Sequence, residues 1–501
     1  MGCGDESAAS SDIDLADVVA EDGSASGSGH AVLTLVAPTG HPGLWPLVAG
    51  SRLRIDRLVG AAAPTNLLDA DAPQSTLRVA PDPAQATAFR AEVVTADGVV
   101  AARGRSVEVL LAPDDPDRPL TVFLLPPRAI VPMTDALGVS VAVTGRLGGT
   151  VTSMSDGGIV LAGGAAYAGG PPCSRQAVGS ALSSVDRIDV ANHKVSELGP
   201  LLEARSLHAA VATSATRLVL LGGRGATGDA LASVEWLRTN DGSVSAAKFA
   251  LSVPRERPCA VRAGDRIVVA GGEGSSGGTV ELWDPGAGPI ATTGLSSPRS
   301  QPACAAMTDP VDGSTLVFVV GGDGKPMPGV AEVIRVAGDQ LVWEGTVALA
   351  TTATARGVVV AWPARQSLLL AGGFAGWDGA APTATAWQFG LYGSATGPLP
   401  GLTAARGCAG GALIEGGHLV VAGGMGDSGE PLSIVDVLVL DPPAGAAATW
   451  QAKLSSPRAD LGAVALPGGV VVFAGGVQLV AGLTATATDV SWSWAAGVEP
   501  P

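Results

Sequence analysis

Short runs of Val, Ile and Leu recur through the last two-thirds of the chain, and each is stopped by a Gly-Gly pair. The pairs are Gly163-Gly164, Gly222-Gly223, Gly271-Gly272, Gly321-Gly322, Gly372-Gly373, Gly423-Gly424 and Gly475-Gly476. The first step is 59 residues and the other five are 49 to 52. Such runs are too short for helices and are rich in β-branched residues, so each predicts a buried strand. Ahead of each pair stands an arginine: Arg146, Arg205, Arg255, Arg299, Arg356, Arg406 and Arg458. After each pair comes a short alternating strand carrying an acid, namely Asp186, Glu235, Glu281, Glu332, Asp436 and Asp489, with Thr385 in the fifth unit. The unit therefore reads as arginine, strand A, turn, strand B ending in Gly-Gly, loop, strand C with its acid, and a short strand D.

A period near 50 residues defines a repeat architecture in which neighbouring units bury each other's faces. An interior glycine costs a strand about 0.5 to 1 kcal/mol, so a pair in every unit predicts a backbone that leaves strand B at positive φ or meets another backbone closely. The last unit lacks a strand D of its own, whereas residues 128–133 read as a strand without an A, B or C. That segment is expected to supply the missing strand and tie the last unit to the first.

The sevenfold pattern over residues 146–501 resembles the kelch repeat, one four-stranded blade of a β-propeller. The resemblance implies an all-β fold, a seven-bladed kelch-type β-propeller over residues 128–501. Six blades plus a divergent hairpin is the alternative count.

The N-terminal residues are different in kind. Residues 1–29 are a polar stretch of Ser, Ala, Asp and Gly, expected to form a disordered tether. Cys3 in it resembles the lipidated cysteine of a bacterial lipoprotein, with Gly2 as the small residue before it, and Met1 would then mark a trimmed start. The other reading is an incidental cysteine in a loose tail. Residues 30–127 show short strands at 31–36, 52–58, 75–79, 89–94, 99–103, 106–111 and 120–125, with a hairpin turn at 96–98. Seven short strands suggest an immunoglobulin-like β-sandwich, expected to act as a spacer or docking module.

Composition narrows the function. The net charge of −16 disfavours nucleic-acid or anionic-membrane binding, and no apolar run is long enough to span a bilayer. Aromatics make up 4% of the chain, so Ala, Val, Leu and Gly must fill the core. Of the five cysteines, Cys259 and Cys304 follow the arginines of consecutive units and are expected on neighbouring A strands, as a disulfide or as buried thiols.

Several catalytic motifs fail on context. The GxGxxG match from Gly272 to Gly277 and the GxSxG match from Gly274 to Gly278 lead into a strand, so no helix N-terminus follows them. The copper chemistry of galactose oxidase, which some kelch propellers resemble, needs two tyrosines and two histidines, and His193, His208 and His418 lack ligand spacing. No cofactor and no metal are expected.

What remains is a surface. The B-to-C loops vary most and carry Tyr167, Met327, Phe374, Trp377 and Met425, expected to be exposed for ligand binding. The arginines are expected to be structural, each paired with an acid or a carbonyl, because an open ring of guanidinium groups would repel itself. The reading that results is a noncatalytic monomer, secreted or envelope-anchored, presenting a propeller face to a protein or polysaccharide. Its only membrane contact would be a lipid on Cys3. The alternative is a carbohydrate-active enzyme at the channel mouth.

Overall fold

Antiparallel ladders dominate the structure, and no α-helix occurs among the described residues. The computed structural model describes residues 30–494 apart from 38–49, 60–61, 72–75, 81, 83–84, 107, 111–116, 127–128, 136–140, 142, 175–176, 191, 274–276, 323–328, 350–354, 376–380, 392–395, 415–416, 443–447, 467–468, 481–482 and 487–490. The proposed tether and Cys3 lie outside the described residues. The chain divides into two units, Met1–Pro127 and Arg128–Pro501.

In the first unit, Ala31–Val36 lies between Thr76–Val79 and a parallel partner, Arg118–Phe123. A second sheet orders Thr65–Ala70, Arg52–Val59, Thr87–Val94 and Val100–Arg105. Leu33, Leu53, Ile55, Phe89, Ala91 and Val122 share one core drawn from both sheets. Two details differ from the sequence reading. Among the described residues of 106–111 the pairing is a single bridge, Thr87 to Val109, while Thr65–Ala70 is a strand that the polar sequence TNLLDA did not announce.

In the second unit, five four-stranded sheets follow the order A, B, C, D in each repeat. Strand A is Thr150–Ser153, Ala209–Ser214, Cys259–Ala263, Ala303–Thr308 and Val358–Trp362 in turn. Beside two short two-stranded sheets, an eight-stranded sheet completes the unit. Its long strand Thr449–Leu466 serves twice: its first half closes on Leu432–Val439 and its second half opens the next group on Val470–Val480. The far edge of that group is Ile130–Pro132, paired with Ser491–Trp494. Residues ahead of the first repeat thus provide the outer strand of the last.

The A strands touch in sequence order and close on themselves: Thr150–Ser153 meets Ala209–Ser214, and so on through Gly410–Ile414 to Thr449–Leu466, which returns to Thr150–Ser153. The cores lie between consecutive sheets. Val219, Leu221 and Trp236 of the second repeat pack on Ile267, Val269 and Trp283 of the third, and Leu316 and Phe318 of the fourth on Leu368 and Leu370 of the fifth. With few aromatics, the strands approach closely; a Cβ added at Gly411 would lie 2.0 Å from Val358, and one at Gly462 2.3 Å from Val151. This is an all-β propeller fold.

Candidate functional site

Every glycine of the seven pairs has positive φ, and the pair Gly163-Gly164 shows why. The Gly164 N–H donates to the carbonyl of Arg205 in the next repeat at 2.8 Å, and a Cβ on Gly163 would sit 2.4 Å from that oxygen. The same bond recurs from Gly223 to Arg255, Gly272 to Arg299, Gly373 to Arg406 and Gly424 to Arg458. The Gly-Gly signal marks a seam between repeats as well as a chain exit.

The arginine works on both sides of that seam. While its carbonyl receives the preceding repeat, Nη1 of Arg205 donates to the carbonyls of Gly222 at 2.8 Å and Ser233 at 3.1 Å, and Nη2 meets Glu235 at 2.5 Å. Arg146 pairs with Asp186, Arg255 with Glu281, Arg299 with Glu332 and Arg406 with Asp436, all buried. Each acid also accepts N–H groups from the link entering its repeat, as Glu332 does from Ser296 and Asp436 from Thr403. Burial lowers the guanidinium pKa of Arg146, Arg255 and Arg299 against the opposing pull of their acids, and it draws Arg406 down to about 10. Arg458 bonds Ser455 and Ser456; its expected acid, Asp489, lies outside the described residues.

Arg356 does not belong to this set. Strand A begins four residues after the arginine in the first, second, third, fourth and sixth repeats but two after Arg356, at Val358. The bridges Leu147 to Ala165 and Gly407 to Met425 use the residue next to the arginine; the matching bridge in the fifth repeat is Ala355 to Phe374. Register therefore puts the arginine's place two positions ahead of Arg356, where the sequence has Thr, and with Thr385 where the other repeats carry an acid this repeat has lost both halves of the ion pair.

Arg356 instead occupies a second recurring position, two residues past the arginine, where the backbone is left-handed. Gly148, Leu207, Arg257, Gln301, Arg356, Cys408 and Asp460 all have φ between 53° and 60°. Their backbones form a belt: Leu207 donates to Gly148, Arg257 to Leu207, Cys408 to Arg356 and Asp460 to Cys408, while Gly148 N–H meets the Asp460 carboxylate at 2.7 Å. The Arg356 guanidinium reaches Gln301 Oε1 at 2.5 Å and Cys408 Sγ at 3.0 Å. Buried Arg257 lies 3.3 Å from Glu273 and 3.6 Å from Glu256. These seven residues are of six types, so nothing in the sequence marked the belt except its constant offset.

The loop of the first repeat reaches past the seventh repeat to the belt residue of the sixth. After the short strand Ala165–Tyr167, fully buried Cys173 is joined to Cys408 of the sixth repeat by a disulfide with a Cα–Cα distance of 6.3 Å. Cys173 and Cys408 pack with Ala355, Phe374, Met425 and Ala459, apolar residues from the fifth, sixth and seventh repeats. A second disulfide joins Cys259 to Cys304, Cα–Cα 5.5 Å, between neighbouring A strands.

This arrangement corrects the expected ligand surface. Phe374 and Met425 are buried beneath the loop rather than exposed to a ligand. Tyr167 is half-buried against Leu147, Ala177 and Val477, and donates its hydroxyl to the carbonyl of Gly170. Burial, with the Glu430 carboxylate adding to it, raises the Tyr167 phenol pKa. Met327 and Trp377 lie outside the described residues.

No family model matches this chain, and no curated protein matches it. Among solved structures, the chain is similar to one titled "Structure of YjhT", at 12% identity and a TM-score of 0.46, covering 62% of this chain and 98% of that one.

Proposed function

We propose that the chain is a noncatalytic recognition protein, a seven-bladed kelch-type propeller behind an immunoglobulin-like spacer. It acts outside the cytoplasm, either secreted or held by a lipid on Cys3. The count of seven rests on the closed cycle of A strands. The observation that carries the functional reading is the commitment of the repeat carboxylates. Asp186, Glu235, Glu281, Glu332 and Asp436 are buried and bonded to arginines and link amides, which leaves them unsuited to acid–base exchange with a substrate. Two disulfides favour an oxidising compartment.

With the belt covered by the first-repeat loop, recognition of a protein or polysaccharide falls to the B-to-C loops around it, to which Tyr167 belongs and to which the sequence assigns Trp377. The test is a screen of the purified full chain against glycans and envelope proteins, repeated with Tyr167→Ala and Trp377→Ala. Binding that weakens at least about tenfold in one variant supports this face. A ligand bound equally by both variants would place recognition elsewhere. Turnover of a glycan would favour the enzymatic alternative.

A further inference from the structure

The loop of the first repeat, buried only at Ala165, Pro172 and Cys173 among residues 165–174, is held by one covalent bond to a site two repeats away, counting from the sixth through the seventh to the first. What it covers is apolar: Ala355, Phe374, Met425 and Ala459 lie beneath Cys173. The seat is incomplete in its polar contacts, since Ser174 Oγ is buried with no partner among the described residues. An unpaired buried hydroxyl weakens the closed arrangement relative to an open, hydrated one.

We propose that the Cys173–Cys408 disulfide locks a cap, formed by residues 165–174, over the belt, and that reduction releases it. The reductant is a dithiol. When residues 165–174 open locally and expose the bond, one of the dithiol's thiolates attacks the Cys173 sulfur, the Cys173–Cys408 bond breaks, and Cys408 departs as a thiolate. The second thiol of the reductant then displaces Cys173, so the reductant leaves as a cyclic disulfide and two protein thiols remain. The Arg356 guanidinium, 3.0 Å from Cys408 Sγ, stabilises the departing thiolate. With the cap released, Phe374 and Met425 become an apolar floor beside the Arg356 guanidinium, a surface that the oxidised protein keeps covered.

The second disulfide serves as the internal control. In the oxidised full chain, differential alkylation and peptide mapping should find Cys173 joined to Cys408. On treatment with dithiothreitol, amide exchange in residues 165–174 should accelerate at least about tenfold while Gly158–Ala162 stays protected. Cys173→Ser should show the fast exchange without reductant. The double variant Cys259→Ser/Cys304→Ser should retain the full response to dithiothreitol, and Arg356→Ala should slow reduction of the remaining bond several-fold. Cys173 found free or joined elsewhere, or exchange unaffected by reduction, overturns the proposal. Loss of the response in the Cys259/Cys304 double variant does so as well.

Discussion

Arg205 and Glu235 lie 2.5 Å apart with both side chains buried, and each is bonded to a different part of the chain: Arg205 to the Gly222 and Ser233 carbonyls, Glu235 to the Leu202 and Glu203 amides. The pair therefore joins the strands of one repeat to the link that enters it. Removing one partner strands a charge in the interior, which costs about 3 to 5 kcal/mol. Arg205→Met should lower the urea midpoint accordingly, and the double change Arg205→Met/Glu235→Leu should recover part of the loss. A single variant as stable as the parent would show the pair to be dispensable.

Gly163 and Gly157 both have positive φ, but only Gly163 has a neighbouring backbone oxygen where a Cβ would go. Gly157→Ala should cost only the left-handed penalty of about 1 to 2 kcal/mol. Gly163→Ala must also move Arg205 O and so break the seam, and its loss should clearly exceed that of Gly157→Ala in parallel denaturation curves. Equal losses would remove close approach as the reason for the Gly-Gly signal.

Acid should act through two histidines. Burial lowers His193 to about 4 and His208 to about 3, against about 6.5 when unfolded. The folded state thus binds fewer protons in this range, and stability must fall as pH drops from about 6.5 towards 4. Each histidine should contribute on the order of 2 to 3 kcal/mol over that window. Measured from pH 7 to 4.5, the slope of stability against pH should flatten in His193→Gln and in His208→Gln. An unchanged slope in both would contradict their burial as neutral groups.

Phe374 separates core from contact. As a ring packed at Gly407 under the first-repeat loop, it should cost about 3 to 5 kcal/mol of stability when changed to Ala. A Phe374→Ala protein as stable as the parent would return this residue to the surface.

Arg356→Ala should cost less than Arg205→Met, since Arg356 is only part-buried and stands outside the ion-pair series. Thermal unfolding of the two variants side by side checks the order; a larger loss at Arg356 would reverse the assignment of register.

These cases show where sequence periodicity carries information. The Gly-Gly pairs and the acids were legible because each unit repeats the same backbone demand at the same offset. At Arg356 the pattern misled, because an arginine happened to stand two residues from a place where the repeat had lost its own. Phe374 and Met425 read as surface residues because their cover comes from the first repeat, which no local window contains. Cys173 and Cys408 are 235 residues apart and were not paired by any spacing rule. In the N-terminal unit, alternation overestimated the described residues of 106–111 and missed Thr65–Ala70, whose burial is only partial.

The pairing of Ile130–Pro132 with Ser491–Trp494 has a consequence for how the molecule is made. The segment that finishes the last sheet leaves the ribosome before any repeat, yet its partner is made only after every other strand of that sheet. Until then the last sheet keeps an open edge able to pair with a foreign strand. Joining two segments so distant in sequence is also among the slowest steps available to a β fold. Truncation at the C-terminus should therefore trap the protein with an unpaired edge at each end of its array and make it prone to aggregate.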